Sequence, residues 1–95
     1  MNNLNSTLID GTVRSIDVQN VEGFYCATVD VAREYRENGD IKRNSTVVPF
    51  RATGRLADTC GKAIRVGHQI RIVGRVSGYD RMHIVAEHVE FQQQR

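Results

Sequence analysis

The sequence has no tryptophan, a single proline and two cysteines in 95 residues. Each shortage excludes something. Pro49 stands alone, and no Pro- or Ser-rich stretch separates two halves, so nothing marks a domain boundary. Cys26 and Cys60 lack the CxxC spacing of a zinc site and do not make a disulfide framework. They read as two small buried hydrophobes in a reducing compartment. No run approaches the ~18 apolar residues of a membrane span. The polar start, Met1-Asn2-Asn3-Leu4-Asn5-Ser6, lacks the basic and apolar regions of a signal peptide. These absences lead us to expect a cytoplasmic, nucleoid-associated protein without a membrane partner.

Catalytic patterns are also missing. His68, His83 and His88 show neither HxH nor HExxH spacing, and no phosphate-cradling glycine loop occurs. Asp58 and Glu87 have no carboxylate partner at a useful spacing. The acids are scattered, whereas a metal-dependent nuclease or phosphatase clusters them. The expectation is a protein that is not an enzyme and uses no metal or cofactor.

What is present is strand and arginine. The net charge is only +2, from 13 Lys and Arg against 11 Asp and Glu. Eleven of those 13 are arginine, with only Lys42 and Lys62 as lysines. Arginine presents a planar fork that grips phosphate and stacks on bases, while lysine is a point charge.

Strand-like runs rich in β-branched residues fill most of the chain. The first spans 4–16, with Gly11 inside it as the mark of a bulge or barrel corner. The second spans 23–33, where Tyr25, Ala27, Val29 and Val31 alternate with a mixed face. Residues 34–44 are polar, centred on Asn38-Gly39-Asp40, and read as a long hairpin loop. The third strand spans 45–53, with Val48, Phe50 and Ala52 on one face. Leu56, Cys60 and Ile64 form the apolar stripe of the only helical pattern, over 56–64. A fourth strand follows over 68–77, with Ile70, Ile72 and Val76 inward around Gly74. A tight turn leads to a fifth over 81–91. Phe24, Phe50 and Phe91 read as core or interface residues.

Five strands with one short helix between the third and fourth is the order of an OB-fold. The fold class is therefore all-β, a five-stranded barrel occupying residues 1–91, with a polar tail over 92–95.

Several ordered segments resemble the bacterial single-stranded DNA-binding protein family. Leu8-Ile9-Asp10-Gly11-Thr12-Val13 is similar to its first strand, and Val29-Asp30-Val31-Ala32-Arg33 to the end of its second. Phe50-Arg51-Ala52-Thr53-Gly54-Arg55-Leu56-Ala57 is similar to its third strand entering the helix. Val66-Gly67-His68-Gln69-Ile70-Arg71-Ile72-Val73-Gly74 resembles its fourth strand, and Ile84-Val85-Ala86-Glu87-His88-Val89 its last. The shortened arm between strands four and five also resembles primosomal replication protein N.

The resemblance implies sequence-independent binding of single-stranded DNA in replication, recombination or repair, by a dimeric or tetrameric homo-oligomer. The alternative is a primosome-type adaptor that docks on replication or repair proteins and binds single strands weakly. The family stacks bases on aromatic platforms, commonly tryptophan. Here one such position falls near Tyr35, while two on the third strand fall near Val47 and Thr53, which cannot stack. The family's acidic tail is not among these residues.

The candidate DNA-binding set follows. The loop between strands two and three supplies Arg33, Tyr35, Arg36, Lys42 and Arg43. Strand three supplies Arg51 and Thr53, and strand four Arg71 and Arg75. The last hairpin supplies Tyr79 and Arg81. Arginines would bind phosphates and the two tyrosines would stack bases.

Overall fold

The computed structural model describes residues 5–21, 23–78 and 81–91. Five strands and one helix follow in the order β1 (Thr7–Val21), β2 (Phe24–Glu37), β3 (Asp40–Thr53), α1 (Gly54–Ala63), β4 (Gln69–Ser77) and β5 (His83–Phe91). The strands close into a barrel in the order β1-β2-β3-β5-β4. The expected architecture is the observed one.

Alternation builds the barrel. Tyr25, Ala27 and Val29 on β2 are buried, as are Phe50 and Ala52 on β3 and Ile70 and Ile72 on β4. Each large aliphatic or aromatic side chain so buried contributes about 1.5–3 kcal/mol. Tyr25 and Phe50 meet inside with ring centroids 6.0 Å apart and planes tilted by 41°. Burial pushes the Tyr25 hydroxyl up to about 12. Helix α1 packs against β1, β2, β3 and β5 through Ala57 and Cys60, with Ile64 buried at its C-cap. It therefore plugs one end of the barrel.

Strand β1 serves two neighbours. Its second part, from Thr12, pairs antiparallel with β2, and Thr7 to Thr12 pair with β4. The change of partner falls at Gly11, where a Cβ would lie 2.8 Å from the Asp30 carbonyl oxygen and 3.1 Å from Val29 Cβ. Only glycine lets the strands cross so closely. Gly74 plays the same part on β4, where a Cβ would collide with the Val85 carbonyl oxygen. The barrel closes where β3 runs parallel to β5, through the pairs Phe50↔Ile84 and Arg51↔Val85.

The long loop expected over 34–44 is instead a continuation of both strands. β2 and β3 pair without interruption to Glu37↔Asp40. Asn38 (φ 53°) and Gly39 (φ 83°) make the whole connection, as a two-residue turn with both central residues left-handed. The physical reason is exposure. This ribbon projects past the barrel and every residue from Ala32 to Val47 is exposed, so no buried face imposes the apolar alternation by which strands are recognised.

Other boundaries move less. β1 extends to Val21, β5 begins at His83 rather than residue 81, and α1 occupies 54–63 rather than 56–64.

The close packing at Gly74 generates a stability test. Gly74→Ala should destabilise the barrel by about 1–3 kcal/mol, since the added methyl would meet the Val85 backbone carbonyl and the buried Ile84 side chain. Thermal unfolding followed by circular dichroism should show a midpoint lower by roughly 4–8 °C per kcal/mol. Val66→Ala, at an exposed site, should leave the midpoint nearly unchanged.

Candidate nucleic-acid interface

The strand pleat decides which candidate residues meet. On the outer face of β2 and β3 the register pairs Phe24 with Thr53, Cys26 with Arg51, Thr28 with Pro49 and Asp30 with Val47. The Arg51 guanidinium carbon lies over the Phe24 ring, 5.6 Å from its centroid. The ring is 40% exposed. This cation–π pair presents a flat cationic surface to solvent. Thr53 sits beside it, in extended backbone at the N-cap of α1, and makes no side-chain cap bond.

The same face continues across the parallel seam. Arg51 pairs with Val85, and Val85 pairs with Arg75. Arg51 and Arg75 thus flank Val85 on one rung, about 10 Å apart at two strand spacings. Arg81 is exposed just before β5. A cleft of about 230 Å³ opens beside the rung, lined by Asp17, Cys26, Pro49, Arg51 and His83 among others.

The projecting ribbon splits its candidates between two faces. Arg33, Tyr35 and Lys42 lie on the face that continues the barrel interior, with Tyr35 opposite Lys42. Arg36 and Arg43 lie on the face that continues Arg51, with Arg43 opposite Glu34. Arg43 and Arg51 are roughly 27 Å apart along β3, at ~3.4 Å per residue. Among the described residues, no ion pair holds Arg33, Arg36, Lys42, Arg43, Arg51 or Arg75.

Arg71 stands apart from this set. Its Nε donates to Asp10 Oδ1 at 2.7 Å, and a second nitrogen donates to Asp10 Oδ2 at 3.3 Å. Glu90 approaches its guanidinium at 3.6 Å. The hydrogen bond from Arg71 holds the Asp10 carboxyl below its ordinary range and pushes Arg71 itself higher. Arg71 is therefore matched by carboxylates on the β1–β4–β5 side of the barrel. Tyr79 lies outside the described residues.

Phe24 is the residue that the sequence reading assigned to core or interface and the structure places on the solvent side. Its position was available in the pattern: if Tyr25, Ala27 and Val29 point inward, Phe24 points out. Phe91 is likewise 40% exposed, and only Phe50 belongs to the core.

Solved structures share this architecture. The single-stranded DNA-binding protein (SSB) of Plasmodium falciparum, solved in complex with ssDNA, superposes with a TM-score of 0.83 at 13% identity, over 98% of both chains. The chain is an OB-fold barrel. Its OB barrel also matches a small single-stranded DNA-binding protein from Streptomyces coelicolor, with a TM-score of 0.73, 15% identity, and 97% and 95% of the two chains covered. The protein PriB from Ralstonia solanacearum matches it with a TM-score of 0.78, 11% identity, and 96% and 100% covered. No family model matches the sequence, and no curated protein matches it.

The two thiols of the OB barrel provide a probe of its surface. Burial raises both thiol pKa values, that of Cys60 to about 11, and Cys26 is the more accessible. A maleimide at pH 8 should label Cys26 in the native protein and Cys60 only in denaturant. Because the thiolate is the nucleophile, the Cys26 rate should keep climbing above pH 9. Mass spectrometry of the labelled peptides reads both outcomes, and rapid native labelling of Cys60 would contradict its burial.

Proposed function

We propose that this OB barrel binds single-stranded DNA without catalysis and largely without sequence preference. The observation that carries the reading is the outer face of β2, β3, β5 and β4. It holds an exposed Phe24 ring under Arg51, a second arginine, Arg75, on the same rung, and a ribbon bearing further arginines and Tyr35. Unpaired arginines suit phosphates, and exposed flat side chains suit unstacked bases. Two of the neighbouring structures, those from Plasmodium falciparum and Streptomyces coelicolor, are of single-stranded DNA-binding proteins, which supports the same class of ligand for this fold.

In this reading Arg33, Arg36, Lys42, Arg43, Arg51, Arg75 and Arg81 meet the backbone, and Tyr35 and Phe24 stack bases. Thr53 borders the Phe24 platform, and Tyr79 is proposed as a further stacking residue. Arg71 contributes least, because two carboxylates already neutralise it. The biological setting is replication, recombination or repair in the cytoplasm, at the nucleoid. Among the described residues, no helix is long and apolar enough to cross a membrane.

A homo-oligomer, dimer or tetramer, belongs to the same proposal. β1 pairs with β2 only as far as Asp30, while β2 runs on to Glu37. This leaves a strand edge that a second copy can extend. The adaptor reading has one observation in its favour. Phe24, Tyr35 and Phe91 are the exposed aromatic rings among the described residues, a thin stacking surface for a protein whose main task is to coat DNA. A replication or repair protein would then be the principal partner.

Fluorescence titration with an oligothymidine of about 35 nucleotides tests the proposal. The affinity should fall with salt at a log–log slope of roughly −0.7 per phosphate contact. A slope near zero, or no binding at low salt, would reject it. Binding weaker than micromolar beside a tight protein partner would favour the adaptor. Tyr35→Ala and Phe24→Ala should each cost about 1–3 kcal/mol, and Arg71→Ala should change affinity and slope less than Arg51→Ala.

A further inference from the structure

The cleft beside the Arg51–Val85–Arg75 rung holds polar groups whose hydrogen-bonding capacity is unfilled. Arg51 Nε and His83 Nε2 are both buried and have no hydrogen-bond partner. Both residues line the cleft, together with the Asp17 carboxylate. Buried polar atoms are normally paired, and unpaired ones mark a site of strain or of ligand binding.

Their donor and acceptor roles can be assigned. His83 Nδ1 lies 3.4 Å from the Arg81 carbonyl oxygen, which can only accept. In the neutral tautomer that carries its proton on Nδ1 and donates to that carbonyl, Nε2 is left as an acceptor. Arg51 can only donate. Asp17 can only accept when ionised.

Asp17 owes its place to the backbone. The β1–β2 register shifts between Ile16↔Ala27 and Val18↔Cys26, which leaves Asp17 as the extra residue of a bulge. A bulge re-aims the side chain it carries. Here it brings the carboxylate to the cleft opposite β3 and β5.

We propose that this cleft is a base-reading subsite selective for guanine. The inference rests on the single-strand reading above and adds a preference to it. The cleft offers one cationic donor and two acceptors. The Watson–Crick edge of guanine offers the complement, a carbonyl acceptor followed by an imino and an amino donor. Thymine presents an acceptor on each side of one donor, and so sets a carbonyl against a carboxylate or an imidazole nitrogen. Cytosine and adenine each supply only one donor group at that edge. Arg51 Nε and His83 Nε2 are closed to water in the free protein, so a small rotation of each side chain accompanies entry of the base. The base supplies the partners that both atoms lack. The face of the purine then lies near the Phe24 ring, which already stacks under Arg51.

The test uses fluorescence anisotropy with an oligothymidine of about 12 nucleotides, within the site-size range of one OB fold. One central thymine is replaced in turn by guanine, inosine, adenine or cytosine. The guanine oligomer should bind about five- to tenfold tighter than the all-thymine one. Inosine, which lacks the amino donor, should lose part of that gain, and adenine and cytosine should show none. The double variant Asp17→Asn, His83→Phe should bind all five oligomers alike, near the wild-type affinity for all-thymine. The inosine comparison needs no variant, so a misfolded double variant leaves the test intact. Equal wild-type affinity for all five would overturn the subsite and leave single-strand binding standing. No binding to any of them would overturn both.

Discussion

The barrel depends on two places where backbone passes backbone with no room for a side chain. At Gly11, β1 leaves β4 and joins β2. At Gly74, β4 presses against the Val85 carbonyl. A five-stranded barrel has a small radius, and its strands must bend sharply to close it. Bulges supply part of that curvature: β1 is irregular at three points against β2, and β4 and β5 at one. The glycines supply the rest. The consequence reaches the outer face that carries Arg51 and Arg75. Closure sets β3 beside β5, and only that parallel seam puts Arg51 and Arg75 on one rung.

The pleat then sorts neighbouring residues into opposite roles. Tyr25 is fully buried and Phe24 beside it is open to solvent. Tyr25 fills the barrel against Phe50, and Phe24 carries Arg51 on its ring. One strand thus serves packing and surface chemistry without compromise between them. The bulge at Asp17 adds a finer adjustment, since it moves one carboxylate without shifting the strands on either side.

Much of this was legible in the residues. The inward rows Tyr25-Ala27-Val29, Phe50-Ala52 and Ile70-Ile72 stand out because one face is buried and the other wet, so alternation reports directly on burial. Gly11 was readable as a corner for the same reason. The ribbon beyond Ala32 was not, since neither of its faces is covered and its strands carry no apolar signal. There the local turn chemistry of Asn38-Gly39 is compatible with a two-residue turn, but the polar residues on either side led to the expectation of a long loop. The candidate site was legible as a list of residue types and illegible as a grouping. Arg51, Arg71 and Arg75 look equivalent in sequence. What separates them is cross-strand register, which joins Arg75 to Arg51 and Arg71 to Asp10 and Glu90.

That register has an electrostatic consequence larger than the net charge suggests. A balance of +2 would steer a polyanion weakly if the charges were evenly mixed. They are not. Asp10 and Glu90 collect around Arg71, and Asp30 holds Arg14 at 3.2 Å. Those pairs neutralise Arg71 and Arg14. Arg51 and Arg75, and the arginines of the ribbon, are left without carboxylate partners among the described residues. A nearly neutral protein can therefore present unpaired arginines, because Asp10, Glu90 and Asp30 are held by Arg71 and Arg14 rather than by Arg51, Arg75 or the ribbon arginines. The face is built from arginine over few rings, so the proposed hold on a single strand would rest more on charge than on stacking, and depend more on ionic strength than an aromatic-lined groove does.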